Sequence, residues 1–227
     1  MVNLSQADHA GKAPQQVFNR VYAFSPNRDT LGGTAYFILE NKGNTLVDCP
    51  AWNHTHEDFI QSWGGIKTLV LTHRGGIGQA AQFQQHWDCE ILMQEQEAYL
   101  LPGLRVTPFQ HTYKLSEQLQ LIWTPGHSPG SACLYYGDYG GVLFSGRHLL
   151  PNAQAQPAPL RTAKTFHWGR QLQSVQRLRD RFTADTLSYL CPGANTGLLR
   201  GERTIPQAYA KLAQLNLTAL AQTSPQL

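Results

Sequence analysis

LVLTHRGGIGQA, residues 69–80, takes an apolar run into a histidine and then through three glycines. An uninterrupted apolar run before a glycine turn is the pattern of a strand covered on both faces. KTLVLTH (67–73) therefore predicts a buried strand, and QAAQFQQHW (79–87) predicts a helix after the turn. The rest of the chain extends this pattern in both directions.

Upstream, VYAFSP (21–26), TAYFILE (34–40) and NTLVDCP (44–50) predict strands separated by turn residues. HTHEDFIQSWG (54–64) predicts a short helix closed by its glycines. Downstream, CEILMQ (89–94) predicts a strand and EAYLL (97–101) a helical turn. The second half repeats the plan with strands at 119–125, 131–137, 141–146 and 186–193. Between them lie a Pro/Ala/Gln-rich loop, 151–164, and an amphipathic helix, 167–182, with Leu172, Val175 and Leu178 on one face. A loop of that length suggests a lid, an interface segment or disorder. IPQAYAKLAQLNLTALAQ (205–222) predicts a terminal helix with proline near its start. Two strand-rich halves, each ending in helices, predict an α/β (α+β) sandwich of two mixed sheets face to face with helices outside. No linker divides the chain, so residues 17–227 are expected to form one domain after a loose tail, 1–16.

Composition narrows the function classes. The chain of 227 residues is 41% hydrophobic and 15% charged, with a net charge of +3. That balance fits a globular protein and gives no clear sign of a nucleic-acid binder. No run is apolar enough to span a bilayer, and the polar N-terminus lacks the apolar segment of a secretory signal. The expected location is the cytoplasm. Cys49, Cys89, Cys133 and Cys191 are widely spaced, without a C-x-x-C pair, and are expected to be small buried hydrophobes.

Five landmarks occur in a recognisable order: LVDCP (46–50), LTHRGGIG (71–78), TPGHSPGS (124–131), LFSGRHLL (143–150) and CPGAN (191–195). In this order they resemble the metallo-β-lactamase fold superfamily over roughly residues 18–200. The resemblance implies an αββα sandwich and, in the usual enzymes, metal ligands H-x-H-x-D-H after the strand at 67–72. Carried over, these positions hold His73, Gly75, Ile77 and Gly78. His127 matches the next ligand, Arg147 stands at the metal-bridging aspartate, and Ala194, with Asn195 beside it, stands at the last histidine. Of the seven implied ligand positions, His73 and His127 keep a ligating side chain.

Catalytic zinc keeps about three protein ligands and structural zinc about four. Two imidazoles fall short of both. Arginine is also a permanent cation. At roughly 4 Å, like charges repel by about 4 kcal/mol at an effective dielectric near 20, and a dication doubles this. An inward Arg147 would occupy the metal position and pair with Asp48 or grip an anionic ligand. The expectation is a family member without a metal-dependent hydrolase site, needing no cofactor and acting as a binding or assembly protein. The competing reading is a hydrolase of thioester, ester or phosphoester substrates. It would hold one zinc, iron or manganese on His73, His127 and His148.

Other features are weighed against plainer meanings. His54, His56 and Asp58 spell H-x-H-x-D but begin a helix, where Asn53 or Thr55 as a cap is the simpler account. Gly75, Gly76 and Gly78, with Arg74 and Arg147, could cradle a small anion at a helix start, or merely keep a tight turn. Ser128, Ser145 and Cys191 flank the same region, but no G-x-S-x-G elbow is present. Arg170, Arg177, Arg179 and Arg181 with Trp168 offer a protein-docking face next to the 151–164 loop, or simply a solvated helix.

Overall fold

The alternation within each strand explains the layers. In a computed structural model that describes residues 11–225, strand β5 (Thr68–Leu71) sends Val70 to one side and Leu69 and Leu71 to the other. Likewise β10 (Ala132–Tyr136) sends Ala132, Leu134 and Tyr136 inward and Cys133 and Tyr135 outward. Period-two side-chain direction makes both faces of each sheet apolar, so each needs a cover on both sides.

The first sheet runs β1 (Gln15–Phe18), β2 (Val21–Ala23), β3 (Tyr36–Ile38), β4 (Thr45–Val47), β5, β6 (Glu90–Gln94) and β7 (Val106–Phe109) in that spatial order. Its pairs are antiparallel as far as β4 and parallel beyond. The second is ordered β15 (Ile205–Pro206), β14 (Tyr189–Pro192), β11 (Val142–Gly146), β10, β9 (Leu119–Trp123) and β8 (Thr112–Lys114), with β11 and β14 parallel. Val21, Tyr36, Ile38, Val70 and Leu92 meet Leu121, Leu134, Val142 and Phe144 between the sheets. Helices α1 (His54–Ser62) and α2 (Ala80–Trp87) cover the first sheet through Ile60 and Phe83. Helix α4 (Trp168–Arg181) covers the second through Val175 and Leu178. A short α3 (Glu95–Ala98) follows β6. The αββα arrangement is thus the observed one.

Three expectations are corrected and one hairpin is added. Strand β1 begins at Gln15, inside the segment expected to be a tail, because Gln15 and Gln16 pair with Ala23 and Tyr22; residues 1–10 lie outside the described residues. The hairpin β7–β8 was not anticipated, since Pro108 and the polar HTYK run mask its alternation. The 151–164 loop contains a small hairpin, β12 (Leu150–Pro151) with β13 (Pro157–Ala158), and buries Pro157 and Ala158. The expected 205–222 helix is broken into β15, α5 (Ala208–Ala213) and α6 (Leu217–Ala221). Ile205 pairs with Leu190 instead of starting a helix, and Asn216 caps α6 by accepting from the Ala219 N–H.

Candidate functional site

Parallel pairing fixes which chain ends meet. Strands β4 and β5 run side by side in one direction, so Asp48 and His73 emerge at the same edge of the first sheet. Strands β11 and β14 do the same in the second, delivering Arg147 and the 193–195 turn. Backbone bonds lock the two edges together: Ala132 N–H to Thr72 O at 2.8 Å and Thr34 N–H to Gly193 O at 2.9 Å. His127 comes from the β9–β10 loop. That loop is pressed against α4 so closely that a Cβ on Gly126 would fall 2.3 Å from the Gln171 Cα. Only glycine permits that approach.

The floor of the cleft is a short relay. Asp48 accepts the Thr72 N–H at 2.8 Å and its hydroxyl at 2.7 Å. That hydroxyl has one proton to give, so its 3.0 Å contact with His73 Nδ1 makes it the acceptor there. His73 is therefore protonated on Nδ1 and presents a bare Nε2 lone pair, buried and without a partner. A Cβ on Gly75 would stand 2.9 Å from this nitrogen, so glycine keeps the space before it open. The His127 ring sits edge-on to His73, with centroids 5.3 Å apart.

Burial dominates the electrostatics. It pushes Asp48 up to about 6, against the Thr72 hydrogen bonds and the nearby Arg147 charge that oppose it. Burial first, then Arg147, depresses His127 to about 4. His73 lies well below the ordinary imidazole range, from burial and then His127, Arg147 and Arg74. His148, with both ring nitrogens buried and unpartnered, falls to about 3, from burial and then His127 and Arg177. At neutral pH all three imidazoles are uncharged.

Arg147 does not pair with Asp48 as the sequence suggested. Its Nη2 donates to the carbonyls of Thr30 at 3.0 Å and Leu31 at 2.7 Å, tying the 27–33 turn across the cleft. Asp48 is left to Thr72. Arg74 turns to Glu97, whose carboxylate takes both the Arg74 N–H and Nε at 2.7 Å. Glu97 is fully buried and was missed in the sequence; an acid in the apolar surroundings of LMQEQEAYLL was the available signal. Thr72 was missed too, a short hydroxyl placed between Asp48 and His73. Asn195 is brought to this edge but is exposed, in a left-handed turn, without a capping bond from its side chain. His148 remains against α4, where its carbonyl accepts the Gln171 side-chain amide.

The donor set does not fit a metal pair. Gly75 and Gly78 offer no side chain, Ala194 is buried, and Ile77 packs outward with the Phe37–Leu46 layer. The space is also taken: a Cβ on Gly76 would fall 2.2 Å from Asp48 Oδ1, and one on Gly78 3.0 Å from the Cys49 Cβ. Among the described residues, no three His, Cys, Asp or Glu side chains converge as metal ligands, including His73, His127 and His148. The 54–58 sequence behaves as a capped helix start, with Asn53 Oδ1 accepting the His56 N–H. Ser145 and Ser128 are bound to Leu149 O and the Ser131 hydroxyl. Burial pushes the Cys191 thiol far up. All four cysteines are free and buried.

A family model described as the metallo-beta-lactamase superfamily matches residues 28–189. The chain belongs to the metallo-β-lactamase superfamily. It is similar to the probable metallo-hydrolase YqgX of Bacillus subtilis, 25% identical over an alignment of 144 positions covering 51% of this chain and 68% of that protein. Among solved structures it resembles a metallo-β-lactamase from Pontibacter korlensis at TM-score 0.69 and 17% identity, covering 92% of this chain and 99% of that one. A superfamily protein of Sulfolobus tokodaii matches at TM-score 0.64 and 14% identity, covering 92% and 90%. These likenesses establish the fold. Within the superfamily the chain is a degenerate member, keeping two of the usual ligand side chains. No helix among the described residues is long and apolar enough to cross a membrane.

Proposed function

We propose that this metallo-β-lactamase-fold protein is a pseudoenzyme of the cytoplasm, whose cleft binds or assembles rather than hydrolyses. The observation that carries this is the use made of Arg147. The position of the bridging carboxylate holds a cation whose hydrogen bonds clamp a loop over the cleft. A dication there would face that charge with too few donors to compensate it.

The rim supports a protein partner. Leu31, Tyr99, Phe166 and Leu198 are large, apolar and exposed. Each lies on a segment bonded to the cleft: Leu31 through Arg147, Tyr99 just after Glu97, Phe166 through the His127 carbonyl and Leu198 through Asn195. Exposed apolar side chains on segments that meet at one cleft are the kind that binding surfaces use. The partner would engage the 151–164 loop and the Phe166 side of the 167–182 helix. The arginine face of that helix is partly committed already, because Arg179 donates to the carbonyls of Leu212 and Leu215, Arg181 to the Gln120 side chain, and Trp168 to Leu220 O. A small anion in the glycine turn is less well supported, since the Arg74 and Gly76 N–H groups are already bonded to Glu97 and His73 O.

One observation favours a second reading, a mononuclear metallo-hydrolase. His73 Nε2 and both His148 nitrogens are buried without partners, as nitrogens awaiting an ion would be. Similarity to a probable metallo-hydrolase agrees with it. Elemental analysis of protein purified without chelators, beside assays on thioester, ester and phosphoester panels, separates the two. We expect substoichiometric zinc, iron and manganese, and no turnover. A stoichiometric metal lost in His73→Ala, with turnover lost alongside it, would establish the hydrolase instead.

A further inference from the structure

Beside the cleft, across the 193–196 turn, lies a cavity of about 170 Å³ that the family resemblance does not account for. It is lined by Lys12 and Arg203, by the hydroxyl side chains of Ser25, Thr34 and Thr196, and by Phe24 on its apolar wall. None of its described lining residues is acidic. Arg203 is half-buried and has no hydrogen bond or ion pair to another described residue; its charge is felt by the Tyr36 hydroxyl on the cavity floor, which already donates to Pro192 O. The Thr34 and Thr196 hydroxyls touch at 3.2 Å, bringing the two sheets' edges together at the cavity mouth.

A guanidinium partly removed from water without a counter-charge is unfavourable unless an anion joins it. Lys12 is exposed and adds a second positive charge at the same cavity, which favours a ligand with more than one negative charge. Hydroxyls on three separate segments offer hydrogen bonds from several directions, which suits a tetrahedral oxyanion better than a flat carboxylate. The volume equals that of several waters, at roughly 30 Å³ each, enough for a phosphate and a few attached heavy atoms.

We infer that this cavity is a binding site for a small phosphate monoester or inorganic phosphate, gripped by Arg203 and Lys12 and steadied by Thr34 and Thr196. It is separate from the His73–Arg147 cleft and does not depend on the function proposed for that cleft.

The full-length protein, titrated with inorganic phosphate and with methyl phosphate against sodium chloride of matched ionic strength, tests it. At about one hundred times Kd, phosphate should raise Tm by roughly 5–10 °C. Arg203→Ala should weaken binding by about tenfold or more, as expected for losing a charge-assisted bond, and Arg203→Lys should recover part of it. In case Arg203→Ala does not fold, amide shifts of the wild-type protein on phosphate addition provide a second readout, expected at Thr34, Thr196 and Arg203. No response beyond that of chloride, a response kept by Arg203→Ala, or amide shifts confined to the His73–His127 segments would each overturn the assignment.

Discussion

Acid should loosen this fold at a rate set by the cleft. Unfolded imidazoles titrate near 6.5. Folded His73 lies well below that, His127 at about 4 and His148 at about 3. Between roughly pH 4.5 and 5.5 each therefore gains a proton on unfolding, so stability falls as pH falls through this window. Asp48 acts oppositely. Its folded value of about 6 lies above the ordinary 3.8, so it gives up a proton on unfolding, and its contribution improves as pH falls from 6 towards 3.8. Three protons gained less one released leaves about two. At about 1.4 kcal/mol per proton per pH unit, the cleft removes on the order of 3 kcal/mol of stability for each unit of acidification. Urea unfolding followed by tryptophan fluorescence at closely spaced pH values reads this slope directly. His148→Leu isolates one group: its ring nitrogens have no hydrogen bonds to lose, and the slope should drop by about 1.4 kcal/mol per pH unit. A flat profile, a slope of the opposite sign, or an unchanged slope in His148→Leu would refute the assignment of neutral buried imidazoles.

Four further outcomes follow from the same geometry. Arg147→Ala loses two bonds to carbonyls and, after discounting for its partial exposure, should cost about 2 kcal/mol, seen as a fall in Tm of roughly 4–8 °C by scanning calorimetry. Removing that cation should also raise the His127 titration in NMR, whereas Glu97→Gln should lower it further, because Glu97 pulls the value upward. Gly76→Ala drives a methyl into Asp48 and should cost about 1–3 kcal/mol in urea unfolding, while Gly197→Ala, with open space around it, should stay within about 0.5 kcal/mol of wild type. Arg147→Asp restores the charge of the bridging position but not the ligands at Gly75, Ile77 and Gly78, so equilibrium dialysis should still find substoichiometric zinc.

Much of the architecture was legible because period-two apolar runs such as Thr68–Leu71 and Ala132–Tyr136 have one burial solution each. The motif order located the cleft, and His73, His127, Arg147 and Asp48 do gather there. The directions of the side chains were not legible. Arg147 and Asp48 have opposite charge and lie on neighbouring strand ends, so pairing was the natural inference. The pair is absent because Thr72 stands closer to Asp48 and the 27–33 carbonyls closer to the guanidinium. Glu97 escaped notice because its partner is 23 residues away and on another element. The break in the C-terminal helix depends on Ile205 finding Leu190, a long-range pairing that local helical spacing does not report.

These substitutions form a consistent set in terms of charge. A metal-bearing cleft balances carboxylates with bound dications; here Glu97 pairs with Arg74, and Asp48, ionised at neutral pH, feels the nearby charge of Arg147. Glycine at 75, 76 and 78 fits the same state. Asp48 settles against Gly76 and Cys49 against Gly78, filling volume that larger side chains would need. Each replacement thus makes the others harder to reverse. A returning ion would have to displace a hydrogen-bonded carboxylate, face an arginine and find its third ligand, all at once. Under the binding role proposed above, the exposed side chains of Leu31, Phe166 and Leu198 are where a partner would meet the cleft.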